Sequence, residues 1–315
     1  MMAKSKILET LQFLREFGVS MTWHKYFLYR IKGLDTNERN IAVSKDIADF
    51  MYKNFSYVLD MDVKQEIESP FNSANSPVWV FWWQGEKEMP QIVQVCYNSI
   101  IRNTPANHPV ILLDRNNFKQ YSNIPTFIVD YVKQGKISLA HFSDILRANL
   151  LSIHGGFWLD ATIYITQQIS EELFHRDFFS PIPYLSSGKK YYDAYWSVFA
   201  QGGTKGNMLH VYLFRFLCEF LKNYNMFINY LLQDDIIRML YEHNDKIRAL
   251  ITDGGIHTNG IFKLQRLFEQ PYDDELFNKI ITENTYHKLS YKRGNISNKE
   301  NPTFYDHIIS ELNKG

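Results

Sequence analysis

Short apolar runs of β-branched and aromatic residues constrain the fold of this chain more than any other feature of its sequence. Residues 78–83 (VWVFWW) and 110–114 (VILLD) are such runs, and each has the length and composition of a buried strand. Residues 90–101 lie between them and have apolar residues at helical spacing. Strand, helix and strand joined by short connections predict a parallel sheet covered by helices, so we expect an α/β fold.

The same alternation continues along the chain. The pattern predicts a helix over residues 140–154, ended by a glycine pair, and a third strand over residues 157–165. Two long apolar helices are predicted over residues 209–224 and 225–241. Helical periodicity before the first strand gives way to a stretch rich in Pro, Ser and Asn. We therefore divide the chain into an N-terminal helical segment (1–70), a linker (71–77), an α/β domain (78–292) and a C-terminal tail (293–315).

The composition argues against several classes of protein. Lys and Arg together number 34, as do Asp and Glu, so the chain lacks the basic excess typical of nucleic-acid binding. Cys96 and Cys218 lie far apart in apolar surroundings, which predicts buried free thiols in a reducing compartment. We find neither an apolar stretch of about 18 residues nor a signal peptide. We therefore expect a cytoplasmic protein.

The first 33 residues form a basic, amphipathic stretch. They contain six Lys or Arg against two Glu, a net charge of +4, and apolar residues recur at helical spacing before the aromatic residues Trp23 and Phe27. Such a helix can lie on an anionic membrane surface, which would place the protein at the inner face of the plasma membrane. Alternatively, the helix packs on the protein's own α/β domain. The sequence leaves both interpretations open.

Three charged residues near the third predicted strand form the candidate site. Asp144 and Arg147 are three residues apart, so they share one face of a helix. Asp160 falls near the carboxyl end of a strand, which is the edge at which open α/β sheets bind ligands. We therefore predict that Asp144, Arg147 and Asp160 converge on one ligand. The alternatives are a weak surface ion pair between the first two residues and a purely structural turn at the third.

These residues belong to a wider pattern. Residues 143–147 (SDILR) and 155–162 (GGFWLDAT) resemble the S-D-x-x-R helix and the G-G-x-x-x-D-x-D segment of the family 32 glycosyltransferases and their capsular polysaccharide synthesis relatives, and more distantly the large clostridial glucosylating toxins. Residues 81–85 (FWWQG) are similar to that family's first strand and turn, and residues 288–292 (KLSYK) to its K-L-S/T-Y/W-K ending. The resemblance covers residues 77–292 and implies a GT-A-like fold with a mixed, mainly parallel sheet flanked by helices.

The resemblance implies which residues would bind a UDP-sugar donor. Trp82 or Trp83 would stack on the uracil, and strand alternation would place only one of them in the site. Trp158 would be a further contact to the donor. Asp144 and Arg147 would hold hydroxyls of the transferred sugar, Asp144 as an acceptor and Arg147 as a charged donor.

The resemblance also implies a site for the diphosphate and a metal ion. Asp160 would contact the ribose, the sugar and Mn²⁺ or Mg²⁺, while Lys288 or, preferably, Lys292 would neutralise the departing diphosphate. Thr162 replaces the family's metal-binding carboxylate, which weakens coordination because hard cations prefer anionic oxygens. We expect a metal site formed by Asp160, Thr162 and His287.

Two alternatives to this metal site stay open. Asp234 or Asp235 would supply a displaced carboxylate, although the pair is otherwise expected on a solvated helix face. In the other alternative, the lysines of residues 288–292 and Arg147 would supply the positive charge without a metal ion.

The resemblance implies an enzyme, a UDP-sugar-dependent hexosyltransferase. It would transfer a hexose or N-acetylhexosamine to a growing, lipid-linked capsular polysaccharide or exopolysaccharide with retention of configuration. No candidate carboxylate nucleophile is recognised, which favours a same-face route in which the departing phosphate takes the acceptor's proton. One alternative is a non-catalytic saccharide-binding or assembly protein on the same fold, which Thr162 favours. The other is an effector glycosyltransferase that modifies a host protein.

Overall fold

A six-stranded sheet lies at the centre of the protein. The computed structural model describes residues 2–61, 69–184, 190–258, 260–292 and 301–313. The strands are β1 (Val78–Phe81), β2 (Val110–Leu113), β3 (Gly156–Leu159), β4 (Ile163–Ile165), β5 (Phe178–Ile182), β6 (Ala200–Gly203), β7 (Gly255–His257) and β8 (Tyr286–Lys288). The central order is β2-β1-β3-β6-β5-β7, and β4 pairs with β8 in a second sheet. Within the central sheet only β6 runs against the other strands. The predicted α/β class with a mixed, mainly parallel sheet is confirmed.

Helices flank this sheet, and three of them lie within two residues of the predicted helices at 90–101, 140–154 and 209–224. The helices are α1 (Met2–Trp23), α2 (Tyr29–Ile31), α3 (Thr36–Phe55), α4 (Gln91–Asn103), α5 (Thr126–Lys133), α6 (Leu139–His154), α7 (Met208–Asn223), α8 (Leu232–His243), α9 (Asp245–Gly254), α10 (Lys263–Arg266), α11 (Asp274–Glu283) and α12 (Phe304–Ser310). A π-helical turn, His24–Leu28, joins α1 to α2.

Two elements differ from the predictions. The single strand predicted over residues 157–165 is two strands, because the chain turns after β3 and the carbonyl of Asp160 accepts a hydrogen bond from the backbone N–H of Ile163 at 2.8 Å. The helix predicted over residues 225–241 begins only at Leu232. The residues before Leu232 form a loop that borders the cleft described below.

Alternate residues of the central strands pack into two separate cores. Trp79 of β1 and Trp158 of β3 belong to a core shared with α1, α3, α6, α7 and α8. Val78 and Val80 of β1 belong to the opposite core, which includes α4, α11 and α12. This alternation is expected for strands buried on both faces. It explains why residues 78–83 are apolar without interruption.

The N-terminal helix packs on the first of these cores. Phe13, Phe17 and Met21 are buried there, and the Phe17 ring stacks on that of Phe220 with 6.2 Å between centroids. Buried residues of α1 therefore pack on the α/β domain, which is the second of the two interpretations that the sequence leaves open. None of the helices in the described ranges is long and apolar enough to cross a bilayer.

The predicted C-terminal tail, residues 293–315, falls partly outside the described residues, as does part of the predicted N-terminal segment (1 and 62–68). Residues 301–313 are not detached from the domain, because Phe304 and Ile308 of α12 are buried in the second core. Cys96 and Cys218 are both buried free thiols, as predicted.

Candidate active site

The passage from α6 into β3 positions the candidate charges. α6 begins after Ser138, whose Oγ accepts a hydrogen bond from the backbone N–H of His141 at 3.2 Å. Gly155 and Gly156 follow α6 with φ of +68° and +91°. A Cβ on Gly156 would lie 2.2 Å from the carbonyl oxygen of Pro77. The glycine pair therefore allows both the backbone conformation and the close contact that this turn requires.

Arg147 connects the two candidate carboxylates. Its Nη1 donates to Asp144 Oδ1 at 2.8 Å, and its Nη2 donates to Asp160 Oδ1 at 3.0 Å. The guanidinium also donates to Gln233 Oε1 at 2.5 Å and lies 5.0 Å from the centre of the Trp158 ring. Because the Arg147 side chain is only 3% exposed, the surface ion pair considered above is not what the structure shows. Asp144, Arg147 and Asp160 come together as predicted.

Asp160 is the most heavily hydrogen-bonded carboxylate of this group. Its Oδ1 also accepts from Trp158 Nε1 at 2.9 Å, and its Oδ2 accepts from Lys288 Nζ at 2.7 Å. Burial by itself would raise the pKa of Asp160, but the Lys288 ammonium and the Arg147 guanidinium outweigh burial and hold the pKa below its ordinary value. Asp160 is therefore ionised at neutral pH.

Asp144 has the opposite balance. Burial raises the pKa of Asp144 to about 6, because the loss of hydration exceeds the stabilisation that Arg147 gives to the carboxylate. Two carboxyl groups on one guanidinium thus have pKa values displaced in opposite directions. Neighbouring carboxyl groups with pKa values shifted in opposite directions are common at functional sites, and structural ion-pair networks also produce such shifts.

Lys288 reaches the site from the second sheet. The antiparallel pairing of β4 with β8 places Lys288 opposite Ile163, directly after the turn that contains Thr162. Its Nζ donates to Thr162 Oγ1 at 2.8 Å in addition to Asp160. A residue more than one hundred positions later in the sequence therefore completes the hydrogen bonds of Asp160.

These side chains line a cleft of about 720 Å³. This volume falls within the range of about 300–1,000 Å³ that is usual for small-molecule sites. The aromatic and charged side chains that line the cleft include Trp82, Trp83, Asp144, Arg147, Trp158, Asp160, Trp196, Asp234, Lys288 and Tyr291. A cleft with aromatic walls and convergent charges is suited to a ligand that has planar, hydroxylated and anionic parts.

Trp82 and Trp83 both line the cleft, which corrects the expectation that only one of them would do so. Strand alternation does not apply, because β1 ends at Phe81 and both tryptophans lie in the turn that follows. The Trp82 ring meets Tyr291 edge-on at 5.2 Å, while the Trp83 ring packs against Phe142 at 5.6 Å. Both rings are partly exposed.

Asp234 and Asp235 are buried, so the expectation of a solvated helix face is wrong. Asp234 Oδ1 accepts a hydrogen bond from Trp196 Nε1 at 3.0 Å, and Asp235 Oδ1 accepts one from Tyr192 Oη at 3.0 Å. Burial, followed by the proximity of Asp235, raises the pKa of Asp234 to about 7. The apolar residues that flank the pair in sequence, Leu232 and Ile236, were the available signal that this turn of α8 faces inward.

Comparison with known proteins identifies the family of the chain. Residues 29–308 match the family model of capsular polysaccharide synthesis proteins. The chain belongs to this family. The resemblance drawn from its motifs to capsular polysaccharide synthesis proteins is thereby confirmed.

Two individual proteins are similar to this chain. O-glycosyltransferase braB of Annulohypoxylon truncatum is 28% identical over 107 residues. The match covers 31% of this chain and 25% of that protein. The solved structure of PaToxG Glycosyltransferase is 13% identical, with a TM-score of 0.38 over 68% of this chain and 83% of that chain.

The residues expected to hold a divalent metal ion in this family member do not fit one well. Asp160 Oδ2 and Thr162 Oγ1 both accept hydrogen bonds from the Lys288 ammonium, and Thr162 offers no negative charge. Among the described residues, no three His, Cys, Asp or Glu side chains are grouped closely enough to hold a metal ion. We therefore assign no step of the chemistry to a metal ion.

Two further expectations for this family member are corrected. His287 does not line the cleft; its ring is buried, with Nε2 3.0 Å from the Asn284 carbonyl oxygen and 3.2 Å from Thr166 Oγ1, and burial lowers its pKa to about 4. Lys292, preferred over Lys288 from the motif, is exposed and is not among the residues that line the cleft. β8 ends at Lys288, so the strand fixes only the first lysine of the motif.

Proposed function

We propose that the protein is a glycosyltransferase that moves a hexose or N-acetylhexosamine from a UDP-sugar to a growing capsular polysaccharide or exopolysaccharide. The observation that carries this proposal is the junction of Asp144, Arg147 and Asp160 in one cleft, at the carboxyl end of β3. Family membership supports the same reaction class.

Each side chain has a role in this proposal that follows from its chemistry. Arg147 donates to hydroxyls of the sugar, and Asp144 accepts from them when it is ionised. Trp82 and Trp83, which both line the cleft, offer aromatic surfaces for the uracil. Lys288 faces the diphosphate, whose negative charge increases as the bond to the sugar breaks.

The proposed reaction retains the anomeric configuration. Asp160 is an unsuitable nucleophile, because its oxygens accept hydrogen bonds from Arg147, Trp158 and Lys288. We therefore favour a same-face route, in which the departing diphosphate accepts the proton of the incoming hydroxyl. The protein then contributes chiefly by orienting both substrates and by stabilising the diphosphate.

The N-terminal segment supports a lipid-linked acceptor at the cytoplasmic face of the membrane. Several of its apolar side chains are exposed although other residues of α1 are buried: Ile7, Leu8, Leu11, Val19, Trp23, Phe27 and Ile31. The exposed cations Arg15, Arg30 and Lys32 lie in the same segment, so an anionic lipid surface complements it in both polarity and charge.

The same segment is connected to the cleft. Lys25 contacts the protein itself: its Nζ donates to the carbonyl oxygen of Ile228 at 2.5 Å and lies 4.3 Å from the centre of the Phe13 ring. Ile228 belongs to the loop that precedes α8, and Tyr230 of that loop lines the cleft. A helix seated on the membrane would thus hold the mouth of the cleft close to a lipid-borne acceptor.

The experiment that tests the function combines donor binding with turnover. Thermal stability is measured with UDP-, GDP- and CDP-sugars, and release of UDP is followed for the UDP-sugars that stabilise the protein. Asp160→Asn should abolish UDP release while it still unfolds in one cooperative thermal transition, which establishes that it is folded, and Asp130→Asn, at an exposed ion pair on α5, is the matched control. Stabilisation by no nucleotide sugar, or full turnover by Asp160→Asn, would overturn the proposal.

A further inference from the structure

Lys288 lies where the two ends of the Asp160-Ala161-Thr162 segment meet. Its Nζ is 2.7 Å from Asp160 Oδ2 and 2.8 Å from Thr162 Oγ1, so one ammonium bridges both side chains. In a D-x-D segment the corresponding side chains would supply oxygens to a divalent cation, which prefers such ligands. In this protein the cation between the two positions is part of the chain itself.

The charges around this segment balance without a metal ion. Two carboxylates with a divalent cation are neutral as a group, and so are one carboxylate, one hydroxyl and one ammonium. Thr162 contributes no negative charge and Lys288 contributes one positive charge, so the charge of Asp160 is balanced within the chain. A divalent ion between Asp160 Oδ2 and Thr162 Oγ1 would have to displace Lys288, and of these two side chains only Asp160 is anionic.

The backbone holds Lys288 in this position. The pairing of β4 with β8 places it opposite Ile163, and the backbone N–H of Leu289 donates to the carbonyl oxygen of Thr162 at 2.9 Å. The Lys288 side chain is 21% exposed, and its Nζ lies 5.2 Å from the centre of the Phe199 ring. The ammonium is therefore preorganised rather than carried on a freely moving surface side chain.

We propose that Lys288 is a built-in cation that replaces the divalent metal ion, so that this protein binds the diphosphate of its donor without Mn²⁺ or Mg²⁺. An ammonium has three N–H groups; Asp160 and Thr162 accept from it, which leaves one N–H for a phosphate oxygen. This inference rests on the proposed function, since it concerns the diphosphate of a nucleotide donor. The charged contact is of the kind that stabilises a departing diphosphate.

The test is a calorimetric titration with UDP, first in EDTA and then with excess Mn²⁺. The wild type should bind UDP with affinities that agree within about twofold under the two conditions. Lys288→Ala should bind UDP about 10- to 100-fold more weakly in both, because one charged hydrogen bond is lost. Lys133→Ala, at an exposed lysine on α5, should behave as the wild type. Melting temperatures establish that the variants are folded.

A second variant converts the segment into a true D-x-D. Thr162→Asp combined with Lys288→Ala should bind UDP weakly in EDTA and at least about tenfold more tightly with Mn²⁺. It should also bind Mn²⁺ in the absence of UDP, observed as loss of the free-ion signal in electron paramagnetic resonance, whereas the wild type should leave that signal unchanged.

The outcomes separate this inference from the function on which it rests. UDP binding by the wild type that is lost in EDTA and restored by Mn²⁺ would overturn the built-in cation and leave the glycosyltransferase proposal standing. Absence of UDP binding under both conditions would overturn the proposed function and the inference with it.

Discussion

Asp234 gives a quantitative test of the electrostatics of the cleft. Its surroundings, chiefly burial and then Asp235, raise its pKa from 3.8 to about 7, and the residue is 8% exposed. Between these two values the folded protein keeps a proton that the unfolded chain has lost, so the free energy of unfolding falls as the pH rises. At about 1.4 kcal/mol for each tenfold change in proton affinity, this group destabilises the folded protein by about 4 kcal/mol above pH 7.

The perturbation is Asp234→Asn. The amide oxygen can still accept the hydrogen bond from Trp196 Nε1, which is 3.0 Å long, but the side chain cannot ionise. At about pH 4 the folded wild type has a neutral Asp234, so wild type and variant should have similar stability. Toward about pH 8 the wild type loses the stability that the variant keeps, and the variant should become more stable by about 4 kcal/mol.

The assay is urea denaturation followed by tryptophan fluorescence at several pH values from about 4 to about 8. Titration of groups distant from Asp234 affects both proteins alike and cancels in the difference between their unfolding free energies, whereas Asp235 and Asp144 are electrostatically coupled to Asp234 and contribute to that difference. Asp130→Asn is the control, because that carboxylate is 44% exposed and pairs with Lys133 at 3.2 Å. A difference between Asp234→Asn and wild type that stays constant within about 1 kcal/mol over this range would refute the reasoning.

Three further predictions concern ligands. Arg147→Lys should weaken UDP-sugar binding about 10- to 100-fold in a donor titration, because lysine cannot supply the paired N–H groups of the guanidinium; unchanged affinity would contradict the assignment. Donor affinity of the wild type should fall as the pH drops through about 6, where Asp144 takes up a proton, and Asp144→Asn should abolish this dependence; a variant that kept the same pH profile would exclude Asp144 as its origin. Replacing both Trp23 and Phe27 by Ser should reduce co-sedimentation with phosphatidylglycerol vesicles, and undiminished binding would argue against a membrane role for this face.

The central part of the fold was predictable because its signals are local. The runs that form β1 and β2 are apolar over their whole length, and α4 and α6 show clear helical spacing. The convergence of Asp144, Arg147 and Asp160 could be predicted equally well, since the spacing along one helix and one strand determines where these side chains point. These features need no knowledge of distant contacts.

Other features depend on tertiary contacts that no short segment reveals. The turn at Asp160 is hidden in an apolar run, because both strands that it separates are buried. The choice between Lys288 and Lys292 depends on the pairing of β8 with β4, which is a long-range contact. The burial of Asp234 and Asp235 likewise depends on Trp196 and Tyr192, their hydrogen-bond partners from another part of the chain.

The position of β8 has a consequence for synthesis of the protein. Arg147 and Asp160 are translated more than one hundred residues before Lys288, whose ammonium completes the hydrogen bonds of Asp160. A nascent chain therefore cannot form the hydrogen bonds from Lys288 to Asp160 and Thr162 until residue 288 has left the ribosome. Incomplete translation products that stop earlier would lack the ammonium that bridges Asp160 and Thr162, even where much of their central sheet has already formed.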